Sequence, residues 1–142
     1  MSTRSLIAIE NPDKTITSVY CHFNGYPSSN GSILYNHYDE QRTKELLSFG
    51  DMSILGIHIT PDPDKVHKFI DYQLDVCLFY GRDRGEKGTE AITHADIKAA
   101  YKWGVDSWAE YVYVLRNGVW YIARPDKTGR IRYIKLTERN TQ

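Results

Sequence analysis

The stretch Ala109–Arg124, AEYVYVLRNGVWYIAR, decides the fold class of this 142-residue chain. Val, Ile, Tyr and Trp make up most of the residues on both sides of Asn117-Gly118, and such β-branched and aromatic runs are typical of strands. Asn-Gly is the strongest short-range signal for a type I′ turn, which joins two antiparallel strands. The stretch therefore predicts a β-hairpin. After it, PDKTG turns the chain into a further strand, Arg130–Leu136.

The N-terminal residues predict a second hairpin. Its strands are RSLIAIE (Arg4–Glu10) and TITSVYCHF (Thr15–Phe23), both rich in β-formers, and NPDK joins them. Pro12 presets φ for a turn, and the flanking Asn and Asp favour turn geometry. Two hairpins of this kind indicate an antiparallel sheet.

Helices are predicted after the first hairpin and before the second. SILYNHYDEQRTKELLSFG, residues 32–50, predicts a helix broken near Asp39, which is a good N-cap, with Gly50 after the last turn. THADIKAAYKWG predicts another helix. In it Thr93 and Asp96 have capping-box spacing, and Gly104 ends the helix.

The middle of the chain is less regular. Pro61 and Pro63 predict a loop with one short strand, and the unbroken apolar run Asp75–Gly81 predicts a buried strand. The sum is one α+β domain over residues 1–142. It is an antiparallel sheet of hairpins with two or three helices packed on one face. The last few residues are expected to fray.

The composition excludes several classes of function. Eighteen basic and eighteen acidic residues give zero formal charge, so we expect no duplex nucleic acid and no anionic membrane as partner. No apolar run is long enough to span a bilayer. The two cysteines, Cys21 and Cys77, lie in apparent strands and are expected to be reduced thiols. Aromatic residues make up 13% of the chain, which favours a homo-oligomer because such side chains are enriched at interfaces.

Two polar stretches follow strand-like runs and are the candidate site. They are VYCHFNGYP (Val19–Pro27) and FYGRDRGEKG (Phe79–Gly88). Loops at the ends of strands often meet at one edge of a sheet, so we expect one anion-accepting site, either within a subunit or across an interface between subunits. In the second stretch Arg82 and Arg84 can present guanidinium groups to phosphate. The alternative is a structural network of these arginines with their acidic neighbours.

The first stretch leads into PSSNGS and a predicted helix, whose unpaired N–H groups would attract phosphate. A simple N-cap there is the alternative. Aromatic faces beside arginine suit a nucleotide base, although core packing is the usual role of such rings. The predicted ligand-binding residues are His22, Asn24, Tyr26, Asn30, Ser32, Tyr80, Arg82 and Arg84.

Catalysis, metal binding and a cofactor are not predicted. Cys21 and His22 are neighbours in a strand, so their side chains point to opposite faces and form no dyad. The five histidines lack metal-ligand spacing. GRDRGEKG fails both the P-loop and the dinucleotide-binding patterns. A binding protein without catalytic residues is therefore expected, and a nucleotide-cleaving hydrolase ranks below it.

The order of the motifs SLIAIEN, YCHFNGYP, LLSFGDMSILG, YGRDRGE and EYVYVLRNGVW resembles a family of small bacteriophage accessory proteins. In that family the central motif reads roughly Tyr-Cys-His-Trp-Asp-Gly-Tyr, whereas this chain has Phe23 and Asn24. An amide cannot replace a carboxylate as metal ligand or base, but a hydrogen-bonding or turn role survives the change.

The resemblance implies phage or prophage origin and the cytoplasm of a bacterial host. Small phage proteins of this kind often counter host defence. Two ways of doing so are expected here. The first is immune evasion by binding and sequestering a small anionic nucleotide-type signal, and the second is inhibition of a host defence enzyme by protein–protein contact.

Overall fold

In a computed structural model, which describes residues 2–142, the chain folds around one mixed, mostly antiparallel sheet of eight strands. The order across the sheet is β4-β3-β2-β1-β6-β7-β8, and β5 also pairs with β2. The strands are β1 (Arg4–Glu10), β2 (Ile16–Cys21), β3 (Met52–Ile54), β4 (Leu78–Phe79), β5 (Ile92–His94), β6 (Ala109–Arg116), β7 (Val119–Pro125) and β8 (Ile131–Lys135).

Four α-helices and one π-helical turn complete the α+β fold. The turn spans Pro27–Gly31, and the helices are α1 (Ser32–His37), α2 (Glu40–Ser48), α3 (Tyr80–Arg84) and α4 (Ile97–Asp106). None of the helices within residues 2–142 has the length and apolar character needed to cross a membrane.

Both predicted hairpins are confirmed. β1 pairs antiparallel with β2, and β6 pairs antiparallel with β7 around Asn117-Gly118, both of which have positive φ. The sheet is nevertheless not purely antiparallel. β1 pairs in parallel with β6, and β2 pairs in parallel with β3.

The central strand β1 explains where the core lies. Ile7 and Ile9 face one cluster that includes side chains of α1 and α2, whereas Leu6 and Ala8 face a second cluster that includes Ala100 of α4. Successive side chains of a strand point to opposite faces, so a run apolar at every position is buried on both. The prediction that all helices lie on one face is therefore wrong.

The helix boundaries follow the predicted caps in part. Asp39 caps α2 by accepting a hydrogen bond from the Arg42 amide, and Gly50 has a φ of 80°. For α4 the cap is Asp96 alone, because Thr93 lies in β5. Gly104 does not end α4. It lies inside the helix and packs closely on β6. An added Cβ would come 3.2 Å from a methyl group of Val112.

Two further segments differ from expectation. Of Asp75–Gly81 only Leu78–Phe79 forms a strand, because the neighbouring β3 is just three residues long and α3 begins at Tyr80. The C-terminal residues, expected to fray, form a turn instead. In that turn the Thr137 amide donates to Asn140 Oδ1 at 2.7 Å, and the Asn140 amide group donates to the Lys135 carbonyl at 2.9 Å.

Candidate functional site

The short strand β3 lies between the two polar stretches. On one side the His22 amide donates to the Met52 carbonyl at 3.1 Å. On the other side the Tyr80 amide donates to the Asp51 carbonyl at 3.2 Å. The end of β2 and the start of α3 are thus separated by a single strand.

An aromatic cleft of about 460 Å³ opens beside this strand. We use the term aromatic cleft for the space lined by Phe23, Asn24, Ser53, Ile54, Phe69, Tyr72 and Leu78. Its volume is within the range of small-molecule sites in proteins. Apart from the Tyr72 phenol, the lining has no titratable side chain. The cleft therefore offers stacking faces and hydrogen bonds, but no acid–base pair.

The loop of residues 55–77 supplies two of the three aromatic walls, Phe69 and Tyr72. A buried histidine holds this loop in place. The Gln73 amide donates to His67 Nδ1 at 3.0 Å, and His67 Nε2 lies 2.9 Å from the Cys77 carbonyl oxygen. An acceptor at Nδ1 and a carbonyl at Nε2 fit the neutral imidazole with its proton on Nε2. The walls are therefore anchored to the strand that precedes α3.

Asn24 stands at the edge of the cleft in the left-handed conformation, with a φ of 62°. Hydrogen bonds fix its backbone: the Asn30 amide donates to the Asn24 carbonyl at 2.9 Å, and the Phe23 amide donates to the Ser53 carbonyl at 3.1 Å. Asn tolerates this conformation better than most residues. The side chain is exposed.

His22 contacts the cleft through Phe23. The two rings meet edge to face, with centroids 4.5 Å apart. The Tyr20 hydroxyl lies 2.7 Å from His22 Nδ1. Burial lowers the pKa of His22, and the Arg4 guanidinium lowers it further. Burial also raises the pKa of Tyr20, so its hydroxyl stays protonated and can donate to Nδ1. The imidazole is then neutral near pH 7, with Nε2 as a donor.

Arg84 and Tyr80 do not line the cleft, but both pack on its wall residue Phe69, and this border is called the rim below. The Phe69 and Tyr80 ring centroids are 5.3 Å apart, and the Arg84 Cζ lies 4.4 Å from the Phe69 centroid. Arg84 pairs with Glu86, but both side chains are well exposed, at 51% and 40%. Exposed ion pairs of this kind contribute about 0–1 kcal/mol, so the guanidinium can exchange Glu86 for a phosphate.

Arg82 is differently placed. Its Nη1 donates to the Ile59 carbonyl at 2.6 Å, its Nη2 to the Cys77 carbonyl at 2.9 Å, and its Nε to the Asp83 carboxylate at 2.9 Å. The side chain is 21% exposed and that of Asp83 only 7%. The guanidinium thus ties the loop to α3, which is the structural alternative raised by the sequence. Arg82 is therefore a structural residue and not part of the candidate site.

Three other predicted residues lie away from the cleft. Asn30 is buried, and its amide group donates to the Phe23 carbonyl at 3.0 Å. Ser32 begins α1, but its backbone amide already donates to the Ser29 carbonyl, so this helix start offers no free N–H there for phosphate. Tyr26 is half-exposed and lies against Tyr111, with centroids 6.1 Å apart.

The thiols lie in the core. Cys21 and Cys77 are both free and buried, and burial raises the pKa of Cys21 to about 12 and raises that of Cys77. A thiol in such a setting is a poor nucleophile. Residues 2–142 contain no group of three or more His, Cys, Asp or Glu side chains able to hold a metal ion.

Sequence reasoning missed the loop's share of the site. Phe69 and Tyr72 lie in VHKFIDYQL, a segment assigned to an irregular loop because of the two prolines before it. The available signal was its composition, because the segment carries several large apolar side chains. The structure exposes four of them: Val66, Ile70, Tyr72 and Leu74. Large apolar groups in an irregular loop point to a binding surface.

Comparisons with protein-family models, with curated proteins and with solved structures find no match for this chain.

Proposed function

We propose that the protein binds a small anionic nucleotide-type ligand and is not an enzyme. The observation that carries this proposal is the aromatic cleft, which the first polar stretch lines with Phe23 and Asn24. The second stretch approaches it only through Tyr80 and Arg84, which pack on the wall residue Phe69. Aromatic faces bind nucleotide bases by stacking, whatever the base, and arginine beside them binds phosphate.

The base would lie between the aromatic walls. Phe23 and Tyr72 expose 40% and 45% of their surface, so their rings are available for stacking. Removing an aromatic side chain that stacks on a base costs about 1–3 kcal/mol of binding free energy. A ligand held mainly by such faces needs no hinge or metal in the protein.

The phosphate would lie at the rim, where Arg84 stacks on Phe69 and the neutral His22 can donate from Nε2. A charged hydrogen bond contributes about 1.5–3 kcal/mol. The cleft lining has no carboxylate, imidazole or thiol, and His22 at the rim has no free ring lone pair because Nδ1 accepts from the Tyr20 hydroxyl. This favours binding over hydrolysis, because phosphate-ester cleavage needs a general base, a nucleophile or a metal.

In the bacterial host that the phage resemblance implies, such binding would remove a nucleotide immune signal from solution. Sequestration requires affinity and abundance but no turnover. The protein would then act as an anti-defence factor by immune evasion.

Isothermal titration calorimetry with a panel of linear and cyclic nucleotides tests the proposal. We expect at least one to bind, and we expect Tyr72→Ala and Arg84→Ala each to weaken it by about five- to a hundredfold. Tyr26→Ala is the matched control, because Tyr26 is similarly exposed, at 50%, but lies outside the cleft. No heat with any nucleotide, or equal losses in all three variants, would refute the proposal.

A second function is supported by a separate observation. Ile70 and Leu74, on the loop of residues 55–77, are 97% and 83% exposed. Exposed apolar groups of this size are enriched where proteins bind other proteins, so inhibition of a host defence enzyme is the alternative. If Ile70→Ser with Leu74→Ser abolishes protection of phage in an infection assay while nucleotide binding is intact, this function replaces the first.

A further inference from the structure

We propose that Arg4, Tyr20 and His22 form the subsite that binds the phosphate of the ligand, an inference that rests on the proposed nucleotide-binding function. In this subsite His22 donates a hydrogen bond, Arg4 supplies positive charge, and Tyr20 is a positioning residue that holds His22 in its donor form. The subsite adjoins the aromatic cleft through the wall residue Phe23, on which the His22 ring packs.

The strand register places these three side chains on one face of the sheet. Leu6 of β1 pairs with Tyr20 of the antiparallel strand β2. Side chains two positions apart on a strand point to the same face, so Arg4 and His22 share the face of this pair and lie towards the same end of the two strands. The first hairpin therefore brings the three polar side chains together, although Arg4 is distant from the other two in sequence.

The Arg4 guanidinium is close to both partners. Burial lowers the pKa of His22, and Arg4 lowers it further. Burial raises the pKa of Tyr20, and a hydrogen bond with Arg4 opposes this rise. Within residues 2–142 no carboxylate forms an ion pair with Arg4, and the Asp51 carboxylate beside Tyr20 accepts from the Tyr20 amide at 2.9 Å. The guanidinium is thus available to a phosphate, whose oxygens its planar fork fits.

Tyr20 determines which nitrogen of His22 carries the proton. Its hydroxyl lies 2.7 Å from Nδ1 and, with a raised pKa, stays protonated at neutral pH. It therefore donates to Nδ1, and the proton of the neutral ring lies on Nε2. The same hydrogen bond and the edge-to-face contact with Phe23, with centroids 4.5 Å apart, hold the ring in place. His22 is thus an oriented donor, and a phosphate oxygen is an acceptor that it can bind without first breaking this hydrogen bond.

The subsite is continuous with the rim. Burial raises the pKa of the Tyr80 phenol, and the neighbouring Tyr20 adds to this rise. The Arg84 Cζ lies 5.1 Å from the Tyr80 ring centroid. Arg4 and Arg84 therefore lie at the two ends of one row of side chains, and His22 adds an oriented donor at the Arg4 end.

The test compares AMP with adenosine by calorimetry, because these two ligands share base and ribose and differ in the phosphate. We expect the wild-type protein to bind AMP more tightly than adenosine. Arg4→Gln keeps most of the side chain and removes its charge, so AMP should bind about ten- to a hundredfold more weakly while adenosine binding is unchanged. Arg124→Gln is the matched control. Arg124 is an exposed arginine of β7 that alternation with Ile122 places on the other face of the sheet, so the ratio of the two affinities should not change.

Tyr20→Phe tests the positioning role, because it removes the hydroxyl and keeps the ring. The ratio of AMP affinity to adenosine affinity should fall about two- to tenfold. The ¹⁵N signals of the His22 ring should show the proton on Nε2 alone in the wild-type protein and a mixture of both tautomers in Tyr20→Phe. A residue that only packs would leave the tautomer unchanged.

Three results overturn this inference. They are equal losses of AMP and adenosine affinity in Arg4→Gln, no loss of either, and a single His22 tautomer shared by the wild-type protein and Tyr20→Phe. The proposed function stands in each case if Tyr72→Ala and Arg84→Ala still weaken nucleotide binding. Failure of the wild-type protein to bind any nucleotide of the panel overturns both. Thermal unfolding of each variant checks that the fold is retained.

Discussion

Replacing Arg82 by alanine should destabilise the fold, whereas replacing Arg84, two residues on, should not. Arg82 donates to two backbone carbonyls and to the Asp83 carboxylate, which is only 7% exposed. Its Cζ also lies 4.7 Å from the Phe79 ring centroid. The substitution removes all these contacts and leaves Asp83 buried, with His67 3.7 Å away.

Breaking a buried ion pair by removing one partner costs about 3–5 kcal/mol. Arg82 is 21% exposed, so water can reach part of the gap, and we take the lower end, about 3 kcal/mol. In a chain of about this size each kcal/mol lowers Tm by roughly 3 °C, which gives a fall of roughly 10 °C. Arg84 forms an exposed pair with Glu86, so Arg84→Ala should lower Tm by no more than about 3 °C.

Differential scanning calorimetry or urea unfolding of both variants under one buffer condition measures the difference. The reasoning is refuted if Arg82→Ala unfolds within about 3 °C of the wild-type protein, or if the two variants fall by the same amount. In the first case the guanidinium bonds are not formed in solution. In the second case the two arginines have the same role, contrary to their geometry.

Two further predictions concern the buried titratable groups. Burial raises the pKa of Cys21 to about 12 and also raises that of Cys77. Both thiols should therefore react with a thiol reagent at neutral pH only as the protein unfolds. Fast labelling of the native protein would contradict this. Burial lowers the pKa of His94, whose Nε2 lies 2.8 Å from the Ser18 hydroxyl. The unfolded chain therefore binds a proton at this histidine more readily than the folded chain does. As a result, the free energy of unfolding should fall as pH drops below about 6.5. The fall should be smaller in His94→Gln, and an unchanged pH dependence in that variant would assign the effect to other groups.

Local sequence patterns predicted the hairpins because their causes are local. Asn117-Gly118 and Asn11–Lys14 carry their turn geometry in adjacent residues, and Asp39 caps a helix that begins at the next residue. The parallel pairing of β1 with β6 joins residues about a hundred positions apart, for which no turn signal exists. The apolar run of β1 is buried on both faces, with α4 opposite α1 and α2, and the prediction of helices on one face overlooked this signal.

Of the two polar stretches that the sequence singled out, the first lines the aromatic cleft through Phe23 and Asn24, and the second contacts only its wall residue Phe69. His22 and Asn24 were expected to lie near Tyr80 and Arg84, and β3 does separate the two stretches by one strand. The two arginines could not be told apart in sequence. The carbonyl of Ile59, which accepts from the first of them, lies 23 positions away.

The part that Phe69 and Tyr72 play in the cleft could not be predicted either, because it depends on contacts between residues that are not adjacent in the sequence. Two prolines disrupt the pattern before Phe69 and Tyr72, and their anchoring depends on His67 bonding both the Cys77 carbonyl and the Gln73 amide. Only the folded chain shows that this histidine bonds Gln73 and Cys77, the last residue before β4.

Chemical-shift mapping with AMP on the ¹⁵N-labelled protein tests most directly whether the two polar stretches form one nucleotide site. We predict that the amides perturbed by AMP fall in residues 22–24, 53–54, 69–72 and 80–84, and that the surface of α4 is unaffected. Shifts confined to α4 or to β8, or no shifts at millimolar AMP, would contradict the account.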